Sequence, residues 1–200
     1  MTKTVSALYD TYDAARTAVN GLEAAGVPHS DISIVANNSD SWHRDESPTN
    51  AAGGAGTGAG VGAAVGGVGG LLTGLGIMAI PGVGPVVAAG WLVATAVGAV
   101  AGAAVGGAAG GLVGSLTKEG VPEHDANVYA EGVRRGGALV TARVADSMAA
   151  EAQSILQSQK YVDLSARGKI YREEGWSTFD AGAPAYTAEE VARERARYNS

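Results

Sequence analysis

The chain has 200 residues, no cysteine, 14 Lys and Arg against 20 Asp and Glu, and a net charge of −6 at pH 7. The missing cysteines exclude disulfides and thiolate metal sites. The acidic balance argues against nucleic acid as a main partner, and the length suits one domain or two small ones.

Residues 5–9 are rich in apolar side chains and predict a strand. Asp10 or Thr11 supplies a helix cap, and Ala14, Ala15, Ala18, Val19, Leu22 and Ala25 then fall on one helical face. Gly26 ends that helix, with Pro28 just beyond it. Residues 32–36 read as a second strand, so the first unit is β-α-β. Residues 37–50 are polar and turn-rich and lead into a very different stretch.

Residues 51–117 are 67 positions without a charged side chain, and they hold 22 of the chain's 31 glycines. Gly58, Gly62, Gly66, Gly70 and Gly74 recur every four residues. The spacing returns at Gly98, Gly102, Gly106, Gly110 and Gly114, and Gly90 extends it backwards. Four-residue spacing places these positions on one helical face, where a stripe without side chains admits another helix backbone. Leu71, Ile77 and Ile80 belong to the first predicted helix, and Val86, Val87 and Leu112 to the second. Pro81, Gly82, Gly84 and Pro85 form the turn between them. The pattern predicts a glycine-zipper helical hairpin. Glycine costs about 1 kcal/mol per interior helix position, so such helices need packing, either in a bilayer or against copies of the chain.

Pro122 opens a helix that carries Glu123 and Asp125 at its start and Arg134 and Arg135 at its end, matching the helix dipole. Gly136 and Gly137 stop it. Residues 138–144 alternate as a strand. Asp146 or Ser147 caps a helix over 147–159, with Met148, Ala152, Ile155 and Leu156 on its apolar face. Val162, Leu164 and Ala166 alternate as a last strand over 162–167. Two β-α-β halves describe a ferredoxin-like sandwich. The predicted fold class is therefore α+β: a βαβ–βαβ sandwich from residues 1–50 and 118–168, with the α-helical hairpin of 51–117 inserted. Residues 169–200 form a tail with a short charged helix over 188–198. Thr187 and Glu190 make a capping box there, and Trp176, Phe179 and Tyr186 are its apolar anchors.

Chemical motifs are sparse. Gly58, Gly60 and Gly62 do not make a dinucleotide loop, because no acid follows before Glu119. His29, His43 and His124 each stand beside acids but lack metal-ligand spacing. No nucleophile elbow occurs. The expectation is no enzyme, no catalytic residue, no metal and no cofactor.

The segment 120–141, with Tyr129, Gly132, Val133, Arg134, Arg135, Gly136 and Gly137, resembles the YflT-like bacterial general stress proteins, also described as heat-induced or low-temperature-induced. The opening at 3–10, the long Gly/Ala insert and Glu174-Gly175-Trp176 resemble that family too. The resemblance implies a stress-induced protein, cytoplasmic or membrane-associated, and brings no functional residues with it. The expected function is a structural stress protein that associates with membranes and self-assembles through its zipper. Its partners would be itself and a lipid bilayer, not nucleic acid, and its domain would be cytoplasmic with the hairpin at the inner face of the cytoplasmic membrane. A soluble homo-oligomer with hairpins in a shared core is the alternative, and a ligand-binding or enzymatic domain a third reading.

Overall fold

The computed structural model describes residues 2–43, 75–92 and 111–198. Five strands form one antiparallel sheet: β1 (Thr2–Tyr9), β2 (Ile32–Asn37), β3 (Gly76–Ile80), β4 (Gly84–Gly90) and β5 (Ala138–Ala145), in the order β1-β5-β2-β4-β3. Six helices accompany it among the described residues: α1 (Tyr12–Ala24), α2 (Gly111–Lys118), α3 (Glu123–Arg134), α4 (Ala149–Gln157), α5 (Leu164–Glu173) and α6 (Ala188–Tyr198).

The local chemistry accounts for these elements. Thr11 caps α1 by accepting from the Ala14 amide, and the chain leaves the helix through Gly26 in the left-handed region. β5 inserts between β1 and β2, with Tyr9 and Ala36 both opposite Ala138. The first β-α-β unit is thus split, and its two strands are joined only through the strand of the second. Alternate residues point to opposite faces. Val5, Ala7, Ile34, Val140 and Ala142 pack with α1 and α4, while Leu8, Val35 and Leu139 pack with α2 and α3. The sheet is covered on both faces, and every residue of β2 is buried. Two phenols lock the layers. The Tyr9 hydroxyl donates to the Leu156 carbonyl at 2.7 Å, and that of Tyr129 to the Ser6 carbonyl at 3.0 Å.

Two predicted elements differ. The strand over 162–167 is absent. Tyr161 keeps a single bridge to Tyr9, the Val162 amide donates to the Leu8 carbonyl, and the chain then turns into α5. Asp163 decides this: its carboxylate accepts from the Ala166 amide at 2.9 Å, a helix cap that outweighs a short apolar alternation. The fourth strand of the ferredoxin-like sandwich is therefore missing, and α2 and α3 cover the face that such a sandwich leaves open. The second difference concerns residues 76–90, read as parts of two helices. They form the β3–β4 hairpin, with Gly76 opposite Ala88 and Ile80 opposite Gly84. Residues 81–83 make its turn, and Gly82 and Gly84 both have positive φ. The four-residue glycine period lapses between Gly74 and Gly90, and β-branched Ile77, Ile80, Val86 and Val87 fill the gap.

Candidate functional site

The most densely built polar site lies where the C-terminal ends of α3 and α5 meet α6. Asn37 at the end of β2 fixes α3 by donating to the carbonyls of Val133 (3.0 Å) and Arg134 (3.2 Å). This satisfies orphan groups at the helix end. Glu131, fully buried, then accepts from Arg134 Nη1 at 3.0 Å and Arg135 Nε at 2.7 Å. Arg135 reaches on to Glu174 at 2.6 Å and Glu194 at 3.3 Å, and its guanidinium stacks 4.0 Å above the Tyr171 ring. Arg167 makes a two-pronged pair with Asp10 at 2.8 and 3.1 Å and lies 3.5 Å from the Tyr198 ring centre.

The tail closes this site as a strap. Thr187 and Glu190 cap α6 reciprocally: the Thr187 amide donates to Glu190 Oε2 at 2.8 Å, and the Glu190 amide donates to Thr187 Oγ1 at 3.3 Å. From α6, Arg195 donates to the Gly136 carbonyl at 2.9 Å and to Asp40 at 2.6 Å, and Arg197 pairs with Glu174 and Glu194. Val191 sits directly over Gly136, whose φ of +112° and closeness to the valine leave no space for a Cβ. The preceding loop adds Pro184, whose carbonyl accepts from Arg134, and Tyr186, whose ring lies 4.8 Å below that guanidinium. Of the expected anchors, Phe179 packs against the α3-side core and Trp176 stands edge-on to Tyr171 at 5.8 Å.

Five guanidinium groups face five carboxylates in this network, those of Asp10, Asp40, Glu131, Glu174 and Glu194. Burial works against the charge on Arg135, but the hydrogen bonds it donates to Glu131 and Glu174 outweigh it and raise the Arg135 pKa. Burial alone would raise that of Glu174, yet Arg135 and Arg197 hold it below the ordinary carboxylate value. Burial pushes the Tyr171 phenol up, so it stays neutral. A cavity of about 10 Å³ remains beside Asp10, Arg135, Arg167 and Tyr171, room for at most one water. The charges are saturated by one another, and the arrangement holds parts of the chain together rather than admitting a substrate.

The sequence-predicted positions lie elsewhere. Gly58, Gly62, Gly66, Gly70, Gly74, Gly98, Gly102, Gly106 and Gly110 fall outside the described residues. Gly90 ends β4 in the left-handed region, pressed against the Ile32 carbonyl, and Gly114 lies in α2. Pro81 and Gly82 lie in the turn of a β-hairpin rather than a helical one, and Gly84 and Pro85 open β4. Among the described residues no group of three or more His, Asp and Glu is placed to hold a metal ion, and no helix is long and apolar enough to cross a membrane. Sequence reasoning missed the ionic network. Its available signal was Glu131, an acid four residues before Arg135 amid the apolar run Ala126, Val128, Ala130 and Val133 of the same helix.

The fold and this site define a mixed α+β domain, closed by a C-terminal ionic strap and carrying a charge-free glycine-rich insert. Residues 4–83 match the family model described as heat induced stress protein YflT domain, the family that the sequence resembles. The match runs from β1 through the hairpin turn. It does not include the 120–141 segment that carried the resemblance most specifically, nor the central strand β5. No curated protein and no solved structure matches the chain.

Proposed function

We propose that the protein is a non-enzymatic structural component of a general stress response, which self-assembles through its glycine-rich segments and associates with a membrane. The observation that carries this is the 67-residue charge-free stretch with glycine at every fourth position on either side of residues 76–90. The strand pairing supports it. Gly76 lies opposite Ala88, so the chain enters the sheet at Leu75 and leaves it at Trp91 from the same end of the hairpin. The two glycine-striped stretches of sequence, 51–74 and 93–110, are thus joined to the sheet at neighbouring points. Four-residue glycine stripes of this kind suit close packing against one another and against those of another copy. Gly90 and Gly114, at the margins of the stripe, serve the domain.

Alkaline carbonate washing of membranes from expressing cells, followed by sizing of the detergent-free fraction, tests both parts. The expected result is chain retained in the washed membrane as an oligomer. Complete release as an oligomer removes the membrane part and leaves a soluble assembly. Release as a monomer overturns the proposal.

A further inference from the structure

Strap helix α6 is attached unusually for a terminal element. Only Val191 and Glu194 of its residues are buried. Its polar hold comes from Glu194 on Arg135, Arg195 on Asp40 and the Gly136 carbonyl, Arg197 on Glu174, and Tyr198 over Arg167. The surface beneath is finished without it: Glu131 and Asp10 position the two guanidinium groups, and Tyr171 underlies one of them. The loop leading to α6 contains Gly175, Gly182 and Pro184. Contacts of this kind are screened by salt and give up little apolar burial on release, whereas their geometry is specific to one helix.

We propose that α6 is an exchangeable plug: the surface made by Arg135, Arg167, Tyr171 and Gly136 is a binding site for an α6 helix, and it takes that of a second copy of the chain as well as its own. The complementarity argues for this occupant. A valine over a glycine, a glutamate on Arg135 and a tyrosine on Arg167 must arrive together at the spacing of 191, 194 and 198, which a second copy supplies unchanged. The exchange does not depend on the glycine-rich segments, although any assembly through them would raise the effective concentration of neighbouring tails.

The absence of cysteine makes the test clean. Arg195 and Asp40 meet at the partly exposed rim. Full-length Asp40→Cys and Arg195→Cys chains are mixed and treated with a short bismaleimide, and the double variant is treated alone as the reference for docking in cis. The expected result is an internal 40–195 link in the double variant. In the mixture, 40–195 linked dimers should exceed the 40–40 and 195–195 species severalfold, and Glu194→Lys in the Arg195→Cys chain should remove that excess. An internal link with no excess of mixed dimer would overturn the exchange, as would an excess that survives Glu194→Lys. The cysteine pair removes the Arg195 contacts, so failure of the internal link would overturn docking of α6 through Val191, Glu194 and Tyr198.

Discussion

Arg135 bonds three carboxylates contributed by three different helical regions: Glu131 within α3, Glu174 at the end of α5 and Glu194 on α6. Removing it leaves Glu131 buried with Arg134 as its remaining cation. Breaking a buried pair from one side costs about 3–5 kcal/mol, and the Arg134 contact places Arg135→Ala near the low end. Urea denaturation should show a loss of about 3 kcal/mol; a loss below about 1 kcal/mol would mean the network is not worth what its burial implies. Glu174 gives the pH sign. Its pKa is lower in the folded chain than its ordinary value of 4.5. Its contribution is therefore complete above that value and is lost as pH falls through the folded pKa. The protection factors of the α6 amides against hydrogen exchange should fall below about pH 4.5, and Glu174→Gln should flatten that fall. An unchanged pH profile in Glu174→Gln would refute the assignment. Little of this was legible beforehand. Arg134 and Arg135 read correctly as cations at a helix end, but Glu174 and Glu194 sit in polar surroundings in the sequence, and only tertiary packing brings them to α3.

At the level of elements, helix caps were mostly clear signals and short apolar runs the weakest; the expected cap at Asp146 or Ser147 is not made, since residues 146–148 form a 3-10 turn and α4 starts after Met148 without a side-chain cap. Thr11 and the Thr187–Glu190 box act as their residue types and spacing require. Glu123–Arg134 follows its dipole-matched ends, with Pro122 as the N-cap rather than the first helical residue. Residues 162–167 fit both a strand and a helix start, and the cap at Asp163 settled the competition. Asp163→Ala should accordingly cost about 1 kcal/mol and raise exchange at the amides of α5 more than at those of α1. Equal effects on the two helices would count against the cap as the deciding contact. The β3–β4 hairpin was hidden for a different reason. Its apolar residues continue those of the flanking glycine-rich segments, so composition does not change at its borders, and only the lapse of the four-residue period marks them.

For the whole molecule, the split β-α-β core follows from the insertion of β5 between β1 and β2, and the burial of both sheet faces from α1 and α4 on one side and α2 and α3 on the other. The class α+β and the pairing of the chain's two halves were readable from the repeated pattern; the strand order was not, because alternation carries no information about neighbours. The proposed assembly belongs at this scale. Gly66→Leu or Gly106→Leu should reduce oligomer size in sedimentation velocity, because a leucine would hold the helix backbones apart, while Val68→Leu should change it much less. Identical sedimentation of all three with the parent would defeat the zipper.

The central place of β5 also sets an order of events on the ribosome. β1 and β2 lie parallel on either side of a strand that begins at residue 138, and β2 ends at residue 37. The difference, 138 − 37 = 101 positions, takes roughly 5–20 s to synthesise at about 5–20 residues per second. Throughout that interval the first two strands have no native partner between them. The whole charge-free stretch of 51–117 is translated before the sheet can close. The nascent chain therefore exposes its charge-free segment before β5 is available to close the sheet, a window in which a chaperone or a membrane surface has prior access to the glycine-rich segments.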